Sequence, residues 1–146
     1  AAERGERNPA GREESGAIMR TYGWEMGLAF QIVDDCLDLM GDRQIVGKSV
    51  GNDVEDGKVT LPVLHVSGEA DEATRAAIRD VYIRPDLKER AAHLREACDL
   101  PSGIERAMNR ARALVAAARS RSDGFSERPA KTALDTVGDF VLERKR

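Results

Sequence analysis

Apolar positions along the chain recur at helical intervals almost from end to end. From about Ser15, the residues Ile18, Tyr22, Met26, Ala29 or Phe30, Val33 and Leu37 follow one another three or four apart, and Gly41-Asp42 predicts a stop near Met40. Gly23 and Gly27 lie four apart inside this helix. Each disfavours a helix interior by about 1 kcal/mol relative to alanine, so close approach of a neighbouring helix is expected there. Thr60-Leu61-Pro62 opens a second helix, with proline in its tolerated first turn, that stops at Gly68.

Asp71 caps a segment carrying Ala73, Ala77, Ile78 and Val81, which ends before Pro85. Leu87, Ala91, Leu94 and Cys98 give the next stripe. Ser102 and Glu105 read as a capping box ahead of Ile104, Ala107, Met108, Ala111, Val115 and Ala118, and Gly124 closes that helix. Ser126 is expected to cap a last helix, with Pro129 in its first turn and Ala130, Ala133, Leu134, Val137, Phe140 and Val141 along its stripe. That helix ends in Arg144-Lys145-Arg146, cations favoured at a helix C-terminus. No stretch alternates as a strand would, so the expected fold is all-α. Residues 1–14, polar and without periodicity, read as a flexible tail, and 15–146 as one domain.

Composition narrows the function classes. With 34% charged residues and a net charge of -3, the chain offers no basic face on the scale nucleic acid requires. No apolar run approaches the roughly 18 residues of a membrane span, and the amino terminus lacks a hydrophobic signal core. A cytoplasmic location is expected. Cys36 and Cys98 lack CxxC spacing and read as two reduced, buried thiols; His65 and His93 stand alone, so no zinc site is expected.

The chemistry gathers between residues 27 and 62. Asp34 and Asp38 are i, i+4 and Asp35 and Asp38 are i, i+3, so on a helix all three carboxylates share a face and can converge. Like charges so close disfavour one another's ionisation. A divalent cation reverses that penalty, because Mg²⁺ takes one or two carboxylates and completes its shell with water and phosphate oxygens. Gln31 lies one turn earlier and can hydrogen-bond what the metal holds. After the helix comes a loop over 41–58 with Gly41, Gly47, Gly51 and Gly57, long enough to suggest function. Its Lys48 and Lys58 flank Asp53 and suit a diphosphate, which the glycines would let the backbone approach. A solvated acidic helix end is the plain alternative for the aspartates alone. The ordered succession of FQ, the acids, GK, GxD and GKxTLP favours a site.

That succession closely resembles the second aspartate-rich region of trans-isoprenyl diphosphate synthases, the polyprenyl synthetase family. The matching positions are Phe30, Gln31, Asp34, Asp35, Leu37, Asp38, Gly47, Lys48, Gly51, Asp53, Gly57, Lys58, Thr60, Leu61 and Pro62, with Val54-Glu55-Asp56 an ordinary variation. The likeness extends more weakly to Ala133-Leu134 and the basic end. It implies a helical bundle of the isoprenoid synthase type that elongates an allylic diphosphate with isopentenyl diphosphate. By the same likeness Asp34 and Asp38 hold Mg²⁺ on the allylic diphosphate, with Asp35 in support. Lys48 and Lys58 contact diphosphate oxygens, Asp53 sits in the metal's outer shell, and Phe30 and Gln31 line the reacting centre.

Members of the family carry two aspartate-rich motifs; this sequence has one, and lacks the upstream GKxxR or Arg-Arg pair. It therefore resembles the carboxy-terminal portion. Three expectations follow: weak binding of metal–diphosphate by the isolated chain, exposed apolar faces, and little or no synthase activity unless a homodimer or a partner supplies the missing half. A non-catalytic helical partner or regulatory paralogue of a complete synthase is the competing reading. A plain helical bundle with an acidic patch would show no Mg²⁺ dependence. Product chain length and the identity of the allylic substrate are not encoded in these motifs.

Overall fold

A computed structural model of the chain describes residues 9–41, 51–125 and 129–144, with the side chains of 9–12 excepted. Among these residues there is no strand. The helices are α1 (Pro9–Met40), α2 (Asn52–Glu55), α3 (Leu61–Glu69), α4 (Glu72–Ile83), α5 (Arg90–Ala97), α6 (Leu100–Ser122) and α7 (Pro129–Glu143). The first helix includes Pro9, where proline is tolerated, six residues before the start expected near Ser15. Its polar first turns therefore belong to the helix and not to the tail expected there.

Two long helices, α1 and α6, form the spine. Tyr22, Met26, Ala29 and Val33 of α1 are buried against Ala111, Leu114, Val115 and Ala118 of α6, joined by Val141 of α7. Alanines on α6 bring the two axes close, and the Glu25 carboxylate accepts two hydrogen bonds from Arg121, at 2.8 and 2.7 Å, to fix their register. The Tyr22 hydroxyl donates to the Leu134 carbonyl at 2.7 Å and ties α7 to the pair. A second core gathers Leu39, Val54, Val63, Ile78, Val81, Ala91, Leu94 and Leu100. It fastens the short helices around the C-terminal end of α1. Where α3 crosses α6, a Cβ on Gly103 would lie 2.3 Å from the Pro62 carbonyl oxygen, so only glycine allows that approach.

Several local expectations are corrected. Asp99, not Ser102, caps α6: its carboxylate accepts from the Ser102 amide at 3.3 Å, and Pro101 falls in the first turn. The helix thus starts three residues earlier than a capping box on Ser102 would place it. The proposed Ser126 cap lies outside the described residues. On α7 Gly138 and Val141 are buried with Leu134 half-buried beside them, while Val137 and Phe140 are exposed. A Cβ on Gly138 would meet Arg119 at 2.9 Å, and that narrow contact selects the face. Cys98 is only half-buried.

Gly23 and Gly27 have no neighbour within 4 Å, so no helix among the described residues approaches them. They share an exposed face of α1 with Trp24, which is 70% exposed, and Leu28. The expected uncovered apolar surface is therefore present, and it runs directly into the acidic end of the helix. Among the described residues, no helix is long and apolar enough to cross a membrane.

Candidate functional site

The site is built where the C-terminal third of α1 meets α2. After Met40 the backbone returns to α1 at Gly51, whose amide donates to the Asp38 carbonyl at 3.0 Å. Gly51 has φ +75°, and a Cβ there would lie 2.5 Å from the Cβ of Ala91. Both facts demand glycine. The following Asp53 amide donates to Asp38 Oδ2 at 3.1 Å. Asp38 is consequently 3% exposed and serves as the anchor of α2.

The α2 turn then folds back on itself. Gly57, with φ +78°, lets the Lys58 amide donate to the Asp53 carbonyl at 2.7 Å. That places Lys58 Nζ 2.9 Å from Asp53 Oδ1 and 3.4 Å from Asp56 Oδ2. The hydrogen bond with Asp53, followed by that with Asp56, raises the Lys58 pKa and keeps it an ammonium.

Asp35 is in a different situation. Gln31 Nε2 donates to its Oδ1 at 2.7 Å, but no cation pairs with it among the described contacts. Its pKa is raised, first by partial burial and further by the charges of Asp53, Asp34 and Asp38, against the Gln31 hydrogen bond. Asp34 turns the other way: Arg144, at the end of α7, donates from Nη2 to its Oδ1 at 3.2 Å. The same guanidinium stacks on Phe30, with Cζ 4.1 Å from the ring centroid.

Three of the expected aspartates thus diverge. Asp34 faces Arg144, Asp38 is held under α2, and only Asp35 stands toward Asp53 as an unneutralised carboxylate. Among the described residues, no three histidine, cysteine, aspartate or glutamate side chains are grouped to hold a metal ion. Convergence of Asp34, Asp35 and Asp38 on one point is not realised, because the Asp53 amide claims one of them. The donor set still fits a hard cation that needs only one or two carboxylates. Asp35, with Asp34 and Asp53 close enough to perturb it, is where added positive charge would be most welcome. Lys48 and Gly47 lie outside the described residues.

Sequence reasoning missed three contributors. Glu55, an ordinary variation on the family pattern, accepts from the amides of Arg90 and Ala91 at 3.2 and 3.3 Å and so caps α5 across 35 residues of sequence. Arg95 donates to the Leu39 carbonyl at 3.2 Å and satisfies the C-terminal end of α1. Neither has a local signature. Arg144 does lie in a marked feature, the basic end that fits a helix C-terminus and the family likeness, but nothing in that run points to a contact with Asp34.

Comparison with known proteins gives this arrangement a context. The chain is 36% identical over 129 residues to the short chain isoprenyl diphosphate synthase of Methanothermobacter thermautotrophicus, covering 88% of this chain and 39% of that protein. It superimposes with a TM-score of 0.77 and 30% identity on geranylgeranyl pyrophosphate synthetase from Pyrococcus horikoshii, over 91% of this chain and 40% of the other. Geranylgeranyl pyrophosphate synthase from Corynebacterium glutamicum, solved with isoprenyl diphosphate and magnesium, gives a TM-score of 0.70 at 26% identity, over 88% of this chain and 37% of the other. The chain therefore spans about two-fifths of the length of these relatives. Since the polyprenyl synthetase profile also matches residues 9–100, the helices and acidic motif described above belong to a member of the polyprenyl synthetase family.

Proposed function

We propose that this chain provides the second aspartate-rich half of a prenyltransferase that condenses an allylic diphosphate with isopentenyl diphosphate. The observation that carries the reading is the pairing of an uncompensated Asp35 on α1 with the Asp53–Lys58 ion pair on α2. The pairing supports a reading in which the carboxylates would serve a metal and the nearby ammonium a phosphate.

In this reading Asp35 and Asp34 would hold Mg²⁺, while Asp53 would support the site with Asp38 holding its backbone from beneath. Bound Mg²⁺ would supply Lewis acidity, drawing electron density from the diphosphate oxygens. Lys58 adds a fixed positive charge on the same leaving group. The allylic C–O bond would break with its electron pair leaving on diphosphate, the alkene of isopentenyl diphosphate would form the new C–C bond, and a proton would pass from the adjacent carbon to an oxygen of the released diphosphate. Phe30 offers an aromatic face beside the developing cation, and Gln31 fixes the orientation of Asp35.

The rest of the catalytic cavity comes from elsewhere: a further segment, a second copy or another subunit that covers Trp24, Gly27 and Leu28. The retained acids favour this reading over that of a non-catalytic helical partner.

Titration of the chain with inorganic pyrophosphate at increasing Mg²⁺, followed by ³¹P NMR, tests the proposal. Saturable, Mg²⁺-dependent binding that disappears in Asp35→Asn is expected. Binding that ignores both Mg²⁺ and this substitution would defeat it.

A further inference from the structure

Arg144 reaches the acidic motif from the opposite end of the chain. Nη2 donates to Asp34 Oδ1 at 3.2 Å and the guanidinium lies over Phe30, its Cζ 4.1 Å from the ring centroid. Nη1, by contrast, is buried and has no hydrogen-bond partner among the described residues. A charged donor withdrawn from water with no acceptor is an unfavourable arrangement. The ring and Asp34 hold the group in place, yet they satisfy only one of its edges.

Two consequences follow from general chemistry. A divalent cation drawn to Asp34 competes with the guanidinium for the same negative charge, and the doubly charged ion is the stronger competitor. A guanidinium released from a carboxylate finds its best-matched alternative in phosphate oxygens, which its planar fork can engage through two N–H groups at once. Both the occupant of Asp34 and the acceptor missing from Nη1 would thus be supplied by one ligand, a metal-bound diphosphate.

We propose that Arg144 is a partner-exchanging counter-ion. Without ligand it neutralises Asp34; when metal–diphosphate binds, it passes from the carboxylate to a phosphate oxygen, with Phe30 guiding its plane. This rests on the reading of Asp34, Asp35 and Asp53 as a metal–diphosphate site. It assigns to the residue that follows α7 a role in selecting the metal–diphosphate pair over the metal alone.

The test uses the 146-residue chain with Arg144→Gln and Arg144→Lys. Affinity for Mn²⁺ alone is read by water-proton relaxation, and affinity for inorganic pyrophosphate at high Mg²⁺ by ³¹P NMR. Arg144→Gln should bind Mn²⁺ about threefold more tightly, the gain of losing a partly exposed ion pair. It should bind pyrophosphate about tenfold more weakly, the loss of one charge-assisted contact. Arg144→Lys should recover part of the pyrophosphate affinity, since it keeps the charge but not the fork. A purely structural Arg144 would weaken both affinities together in both variants, and that outcome overturns the proposal. So does a variant that leaves both unchanged, or one that strengthens both, which would make Arg144 a plug alone. Asp35→Asn separates the two levels of the argument. If the unsubstituted chain and Asp35→Asn both fail to bind, the site itself is misread; if only Asp35→Asn fails while Arg144→Gln behaves as the unsubstituted chain, the exchange alone falls.

Discussion

Gly51 links the fold to the site, and replacing it with alanine should damage both. Two separate costs can be worked from the structure. At φ +75°, ψ 28°, an L-residue is in the left-handed region, which costs roughly 1–2 kcal/mol. The new methyl would also lie 2.5 Å from the Cβ of Ala91, at least 1 Å inside the normal carbon–carbon contact of about 3.5–4.0 Å. Ala91 cannot rotate away. Its methyl is fixed to α5, and α5 is held by Glu55 through the amides of Arg90 and Ala91. Overpacking of that kind costs about 1–3 kcal/mol. The sum, about 2–5 kcal/mol, is a large share of the roughly 5–15 kcal/mol that stabilises a domain.

The two costs separate in a double-variant cycle. Ala91→Gly alone should cost up to about 1 kcal/mol through helix propensity. Combined with Gly51→Ala it should remove the steric part and leave the backbone part, a favourable coupling of about 1–3 kcal/mol. Urea unfolding followed by far-UV circular dichroism gives all four corners. If Gly51→Ala unfolds within about 0.5 kcal/mol of the unsubstituted chain, as an ordinary surface change would, the close approach of α2 to α5 is wrong. If Ala91→Gly rescues nothing, the contact is not what makes Gly51 necessary.

Asp38→Ala should lower stability by about 1–3 kcal/mol in the same unfolding assay, because the Asp53 amide loses its acceptor in a partly buried setting; an unchanged midpoint with reduced Mg²⁺ affinity would return Asp38 to the metal. Glu25 has its pKa lowered, mainly by the Arg121 hydrogen bond, so its stabilising effect is present above the unfolded-state pKa near 4 and is lost as pH falls through the lower folded value. Glu25→Gln should therefore flatten the acid limb of the stability–pH curve, and an unaltered limb would refute the pairing. Asp35 has the opposite sign: its raised folded pKa means that its ionised form opposes folding above that pKa, with no effect below the unfolded value. Asp35→Asn should thus raise the melting temperature at neutral pH but not in strong acid, and should abolish any further rise on adding Mg²⁺.

How much of this was legible follows from the range of each interaction. The helices were, because burial repeats locally: Tyr22, Met26, Ala29 and Val33 announce their face within four turns. Asp71 as a cap was legible for the same reason, its acceptor role being three residues long. The capping of α5 by Glu55 was not, since its partners are 35 residues away and neither end carries a mark. Phe140 and Val137 misled because an apolar stripe records which faces can be buried, and here a glycine contact with Arg119 chose the adjacent face. The aspartates were legible as a cluster but not as a division of labour. Spacing on a helix says which side chains share a face; it cannot say which of them a backbone amide from a later turn will claim.

That division changes what the acidic motif can do. Three aspartates read as equivalent would form a cage of three like charges. In the structure one is neutralised in effect by the dipoles of the α2 turn, one by Arg144, and only Asp35 retains an unpaired charge that its neighbours make unfavourable. A chain arranged in this way can remain folded without metal, because only a single carboxylate carries the repulsion. Under the proposed metal–diphosphate reading, a cation would reach Asp34 and Asp35 by displacing one arginine side chain, with no change of backbone required. Strong metal affinity in the absence of phosphate would need Asp34 and Asp35 both to be uncompensated, and the Arg144 contact prevents that. On the proposed reading, this arrangement would favour a cation that arrives with its anion over the cation alone.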